Sequence, residues 1–130
     1  METVLTVISI EFSQILAYVE NHDLWAIKWQ GGPMLKHIVF MKFKTGVDAL
    51  QIEDLKKSLG ALPGKIDEIK AFEFGPDILK SERSYDFALS ASFADLDSLK
   101  SYQVHPGHIP VLQEVRSMCE NIIVVDFEWT

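Results

Sequence analysis

Four side chains in this sequence could together carry acid–base chemistry: His37, Tyr102, His108 and Asp126. A histidine can take up and release a proton near neutral pH, and a tyrosine can hydrogen-bond an oxygen that becomes negatively charged. A carboxylate beside a histidine can hold the imidazole in one tautomer. This combination suits removal of a proton alpha to a carbonyl group, so the fold must bring widely spaced residues into one pocket.

Tyr102 is predicted to lie on the inner face of a short helix. Asp95 is a suitable N-cap for this helix, and Leu96, Leu99 and Tyr102 follow it at helical spacing. The tyrosine ring should therefore point into the core, where its hydroxyl group needs a polar partner.

His108 follows a turn that can bring it back towards Tyr102. Pro106 and Gly107 interrupt the helix, and glycine can adopt the positive φ that other residues avoid. Pro110 suits the start of a further helix, whose positive N-terminal end should disfavour a charged imidazole at His108. We therefore expect a neutral His108 that can accept a proton at about pH 7.

Asp126 is a polar residue on a strand face that is otherwise apolar, beside Ile122 and Val124. A buried carboxylate must be paired, and the predicted partner is His108, whose tautomer Asp126 would fix. The carboxylate and the helix end act in opposite directions on the pKa of this histidine. His37 lies in the middle of a strand and either contacts a ligand from the pocket floor or is a hydrogen-bonded core histidine.

Other residues that could form a functional site are indicated less strongly by the sequence. His105 and His108 have a spacing that could suggest a metal site, but Pro106 and Gly107 prevent a regular helix and no third nitrogen or sulfur ligand is near. We therefore expect no metal and no cofactor, and we expect His105 to cap the turn. Cys119, the one cysteine, is expected to be a small buried residue rather than a reactive thiol.

The elements that would position these groups occur in the order β-α-β-β-α-β, with an extra short helix before the last strand. The predicted strands are residues 35–44, 66–75, 85–93 and 121–129. The first helix has Asp48 as its N-cap and Gln51 at the third position of a capping box, and Gly60 ends it. This order predicts an α+β domain with helices on one face of a sheet.

The other face of the predicted sheet is also apolar. Ile38 and Phe40 alternate with the helix-facing residues of the first strand, and Val125, Phe127 and Trp129 do the same on the last strand. The helices of one subunit cannot cover both faces, and a large exposed apolar patch is unusual for a soluble monomer. We therefore expect a homodimer with a two-fold interface on this face.

Residues 1–33 are predicted to be an N-terminal extension of the domain at 34–130. Apolar residues at helical spacing predict a helix in residues 4–19, residues 24–29 could form a short strand, and Gly31, Gly32 and Pro33 then interrupt the chain. The extension could be a native arm, an over-extended start, or residues added for expression.

The composition indicates which partners and which cellular compartment are to be expected. The 130 residues carry a formal net charge of −7 without a basic cluster, which argues against nucleic acid as a partner. The apolar residues at the start are too few to span a bilayer and lack a basic segment before them, so we expect no membrane partner. A single cysteine favours a cytoplasmic protein.

Three separated motifs resemble the stress-responsive A/B barrel (Dabb) family. They are the opening strand at residues 36–44, the Tyr-x-x-His-Pro-x-His sequence from Tyr102 to His108, and the closing Val-Val-Asp-Phe at residues 124–127. The resemblance covers residues 35–129. It implies a fold similar to that of ferredoxin and two subunits whose sheets pack face to face, forming a dimeric α/β barrel.

The resemblance also implies a site. When the sequence is matched onto a polyketide cyclase of this family, the catalytic tyrosine and histidine fall on Tyr102 and His108, with Asp126 near the catalytic histidine and His37 in the pocket. The implied apolar pocket residues are Val39, Met41, Leu55, Leu59, Leu89, Ala91, Leu96, Cys119, Ile122 and Val124. Leu59 and Cys119 replace aromatic residues of the cyclase, which changes the shape of the pocket.

Two classes of function follow from these patterns. The first is a dimeric protein that binds an apolar or aromatic polyketide-like metabolite, with histidine and tyrosine acid–base chemistry of the aldol cyclase or lyase type and no cofactor. The alternative is a non-catalytic, stress-responsive structural protein whose histidines are packing residues. An oxygenase or haem-handling relative on the same fold ranks below both, because a fold alone does not carry a function.

Overall fold

The computed structural model of the protein describes residues 33–130. The helix and strand predicted before Gly31 lie outside these residues, and the domain boundary after residue 33 stays a prediction. The elements are β1 Met34–Phe43, α1 Ala49–Gly60, α2 Leu62–Lys65, β2 Ala71–Pro76, β3 Phe87–Phe93, α3 Leu96–Val104, α4 Ile109–Met118 and β4 Cys119–Trp129. Their order confirms the predicted α+β arrangement, with α4 as the extra helix. None of the described helices is both long and apolar enough to cross a membrane.

The described strands form one antiparallel sheet in the order β2-β3-β1-β4. Its central strand β1 pairs His37 with Ala91 of β3 on one side and with Asp126 of β4 on the other. The register of β1 against β4 shifts next to Phe43, where the Phe43 N–H donates to Asp86 Oδ2 at 2.7 Å. The side chain of Asp86 thereby supplies an acceptor where the pairing becomes irregular.

The hydrophobic core lies between this sheet and the helices. Successive strand residues point to opposite faces, so every second residue of β1 and β3 is buried beneath the helices. The sheet contributes Leu35, Val39, Met41, Phe87, Leu89, Ala91 and Phe93, and the helices contribute Leu55, Leu59, Leu62, Leu99, Tyr102, Val111, Val115 and Met118. Tyr102 is in this core as its helical spacing predicted.

The opposite side of β1 and β4 forms an exposed apolar surface, called here the apolar sheet face. Its members and their exposed fractions are Phe40 38%, Ile123 44%, Val125 57%, Phe127 44% and Trp129 44%. The pairing of Phe40 with Ile123 and of Ile38 with Val125 places these side chains on one continuous surface.

Four local predictions from the sequence were wrong. The third strand begins at Phe87, two residues later than predicted. The second strand begins at Ala71 rather than at residue 66, because α2 and the turn after it occupy the preceding residues, and Ile66 is fully buried from that turn. The last strand begins two residues earlier than predicted, at Cys119. Leu96 is 54% exposed, so the first residue of α3 does not belong to its inner face.

Both predicted N-caps are present. The Asp48 side chain accepts from the Gln51 N–H at 2.9 Å, while the Asp48 N–H donates to Gln51 Oε1 at 3.0 Å, which completes the capping box of α1. Asp95 accepts from the Ser98 N–H at 2.8 Å at the start of α3, and this hydrogen bond lowers the pKa of Asp95. The caps satisfy backbone donors that have no partner inside the helix.

We expect Asp48→Ala to lower the free energy of unfolding by about 1 kcal/mol, because it removes the acceptor of the capping box. Asp54→Ala, at an exposed position within α1, is the matched control and should change stability by less than about 0.5 kcal/mol. Urea denaturation followed by circular dichroism measures both. Equal losses in the two variants would contradict a capping role for Asp48.

Candidate functional site

A cavity of about 310 Å³ lies between the helix-facing side of the sheet and helices α3 and α4. Nine of the residues named from the sequence line it: His37, Val39, Met41, Leu59, Leu89, Tyr102, His108, Ile122 and Val124. The structure therefore brings the two histidines and the tyrosine to one cavity, whose other lining residues are largely aliphatic.

Four of the named apolar residues do not line this cavity. Leu55, Ala91 and Cys119 are buried in the core, and Leu96 lies on the surface. Cys119 is a free thiol, and burial raises its pKa, which fits the expected small buried residue rather than a reactive nucleophile.

Asp126 hydrogen-bonds His37 rather than His108. Asp126 Oδ1 lies 2.5 Å from His37 Nδ1, so the predicted pairing of Asp126 with His108 is wrong. The cause is the β1–β4 register, which sets Asp126 directly opposite His37 on the same face of the sheet. An ionised carboxylate only accepts hydrogen bonds, so His37 donates through Nδ1, and Nε2 of the neutral ring holds the lone pair.

His108 is held by the turn that precedes α4. Its Nδ1 lies 3.2 Å from the carbonyl oxygen of Gln103, and its ring centre lies 4.2 Å from that of Tyr102. A carbonyl oxygen can only accept, so Nδ1 of His108 is the donor and Nε2 of the neutral ring is again the basic nitrogen. The turn thus brings His108 back to Tyr102, as the sequence predicted.

The geometry of this turn differs from the prediction at Gly107. Among the described glycines the positive φ belongs to Gly46, at 94°, and not to Gly107. Gly107 instead donates its N–H to His105 Nδ1 at 2.9 Å, and a Cβ at position 107 would lie 3.2 Å from the same nitrogen. Glycine is therefore favoured here by the close approach of the His105 ring, which caps the turn as expected.

Burial sets the protonation of the groups around the cavity. It raises the pKa of Tyr102 to about 12, so the phenol is neutral and able to donate. Burial also lowers the pKa of His108, against the opposing effect of the Gln103 carbonyl oxygen, while the charge of Arg116 and the charges that His37 and His105 carry when protonated lower it further. This direction favours the expected neutral imidazole, and its main cause is desolvation rather than the helix end.

Sequence reasoning missed five residues of the cavity wall. They are Gln103 from α3 and Val111, Leu112, Val115 and Arg116 from α4. The α4 residues follow His108 by three, four, seven and eight positions, which is the spacing of one helix face. That spacing, counted from His108, was the signal that could have found them.

Residues 35–129 match the family described as Stress responsive A/B Barrel Domain, and the chain belongs to this family. It is similar to the stress-response A/B barrel domain-containing protein HS1 of Arabidopsis thaliana, at 28% identity over 101 residues, which cover 76% of this chain and 92% of that protein. It is also similar to olivetolic acid cyclase of Cannabis sativa, at 25% identity over 95 residues, covering 72% and 94% of the two chains.

A solved structure shows the same fold. The crystal structure of a dimeric ferredoxin-like protein of unknown function from Thermobifida fusca matches with a TM-score of 0.72 at 30% identity. The match covers 78% of this chain and 95% of that chain. The fold of residues 33–130 is therefore ferredoxin-like, as the sequence resemblance implied.

The lowered pKa of His108 predicts how stability depends on pH. The unfolded chain binds a proton at this position near the ordinary value of 6.5, whereas the folded chain binds it only at lower pH. The stabilisation is therefore complete above pH 6.5 and is lost as the pH falls towards the folded pKa. Urea denaturation from about pH 8 to about pH 5 should show a stability difference between wild type and His108→Asn that decreases with falling pH. A difference that stays constant would contradict the shift.

Proposed function

We propose that this protein binds a small, largely apolar metabolite with carbonyl groups, of the polyketide-like or aromatic kind, and catalyses proton transfer of the aldol cyclase or lyase type without a cofactor. The observation that carries the proposal is the cavity in which His37, His108 and Tyr102 meet. Both histidines have Nδ1 in a hydrogen bond, and the described residues give neither Nε2 a partner. Nε2 of each histidine and a neutral phenol thus remain for a ligand.

The reaction uses His108 as the base. Its Nε2 takes a proton from the carbon alpha to a carbonyl, and the C–H electron pair forms the enolate while Tyr102 donates to the enolate oxygen. The enolate carbon then forms a bond to a second carbonyl carbon of the same molecule, and the resulting alkoxide takes the proton back from His108. Because the proton is returned, no external acid or oxidant is needed.

The His37–Asp126 pair has a positioning role in this proposal. Asp126 fixes the tautomer and the plane of His37, which faces the ligand from the central strand of the sheet. The similarity to a protein named as a cyclase supports cyclisation as the reaction class. The similarity to a protein named for a stress response supports the alternative, a non-catalytic stress-responsive protein. The experiments below distinguish the two proposals.

Deuterium exchange at the alpha carbon of benzoylacetone tests the proposed base. NMR in D₂O should show exchange above the buffer rate, reduced about 100-fold in His108→Asn, since a positioned base contributes roughly that factor or more. Tyr102→Phe should be slowed as well, because the enolate oxygen loses its donor. Lys100→Gln, at an exposed position on α3, is the control and should behave as wild type.

Two results would contradict the catalytic proposal. One is folded wild-type protein that gives no exchange above buffer and no change in the imidazole NMR signals when benzoylacetone is added. The other is an exchange rate that His108→Asn leaves unchanged. The first result would favour the non-catalytic, stress-responsive alternative.

We also propose that the chain works as a homodimer through the apolar sheet face. Its five exposed apolar residues lie on one continuous surface, and a similar structure is described as dimeric. Covering this face with its counterpart would remove apolar area from water, and a stable interface should bury more than about 1,000 Å² in total.

Val125→Lys should dissociate the dimer, because it places a charge at the most exposed member of the apolar sheet face. Sedimentation equilibrium at micromolar concentration should give twice the 14.8 kDa chain mass for wild type and the chain mass for the variant. Gln113→Lys, on the exposed side of α4, is the control and should remain dimeric. A wild-type mass of one chain would refute the interface.

A further inference from the structure

Arg116 brings a fixed positive charge to the cavity wall. It lies eight residues after His108 on α4, and it is an exposed residue that also lines the cavity. Among the cavity-lining residues it is the permanently charged one, because the two histidines are charged only when protonated. The chain as a whole carries a net charge of −7, so Arg116 places a positive charge in a predominantly negative protein.

The surrounding structure does not account for this charge. Within residues 33–130, Arg116 forms no hydrogen bond and no ion pair with a carboxylate, whereas Asp126, the carboxylate beside the cavity, is engaged by His37. Arg116 lies in the last turn of α4, where a cation is favoured by the helix dipole, but that interaction would be equally available at positions that face solvent alone. The guanidinium group of Arg116 is therefore available to an anionic ligand at the cavity.

We propose that the ligand of this cavity carries a carboxylate, which pairs with the guanidinium group of Arg116, while its apolar body lies against Val39, Leu89 and Val124. The inference rests on the proposed function, because it concerns the same cavity, and it names the substrate class. A planar guanidinium offers two parallel N–H donors that match the two oxygens of a carboxylate. The ligand would then lie with its charged end at α4 and its body towards the sheet.

Pairing of a ligand carboxylate with Arg116 would also change the pKa of His108, the proposed base. Arg116 is one of the positive groups that lower the pKa of His108, so a carboxylate bound to Arg116 cancels that effect. The imidazole is then a stronger base with this carboxylate bound than it would be without the carboxylate charge. A neutral ligand of the same shape would leave the pKa of His108 without this change.

Two probes of equal shape separate the charge from the apolar contacts: 3-phenylpropionate and 3-phenylpropionamide. Calorimetry with full-length protein should show wild type binding the carboxylate about 10-fold more tightly than the amide, as expected for a charge-assisted hydrogen bond. Arg116→Gln should lose this preference and still bind the amide. Arg116→Lys should keep part of the preference, and Lys100→Gln should keep all of it.

NMR titration of His108 provides the second measurement. The pKa of His108 should be higher with 3-phenylpropionate bound than with the amide bound, and Arg116→Gln should abolish the difference. Equal binding of both probes by wild type would overturn the carboxylate inference and leave the proposed function in place. Failure of wild type to bind either probe at millimolar concentration would count against both.

Discussion

The hydrogen-bond register of β1 against its two neighbours is the constraint on which the rest of the domain depends. Strand side chains alternate with a period of two, so a slip of one residue would turn His37 from the cavity to the apolar sheet face. The same slip would separate His37 from Asp126 and place Ile38 beneath the helices. One register thus fixes the core, the cavity floor and the exposed apolar surface together.

The site joins this long-range constraint to a local one. His37 is held by a carboxylate from a strand 89 positions away, whereas His108 is held by a carbonyl five residues before it in the same turn. The sheet therefore fixes one histidine, and the Gly107 turn fixes the other. Tyr102 lies between them, with ring centres 6.2 Å from His37 and 4.2 Å from His108. Two imidazoles of the same chemistry thus occupy two environments around one buried phenol.

The parts of this arrangement that the sequence predicted depend on local spacing. The caps at Asp48 and Asp95, the phase of Tyr102 and the return of His108 follow from residues less than two helical turns apart. The partner of Asp126 could not be read in this way, because it depends on how β4 aligns with β1 across the whole domain. Leu96 was misplaced for a related reason, since periodicity alone does not show how far the core extends along α3.

The His37–Asp126 contact has a consequence for how the cavity is linked to solvent. The side chain of His37 is 10% exposed and that of Asp126 is 37% exposed, so the carboxylate connects an enclosed imidazole to bulk water. Nδ1 of His37 faces an oxygen that solvent can reach, and Nε2 is the ring nitrogen that remains for a ligand. The pair thus links the floor of the cavity to the surface of the domain, so a change at the exposed carboxylate acts on the imidazole inside.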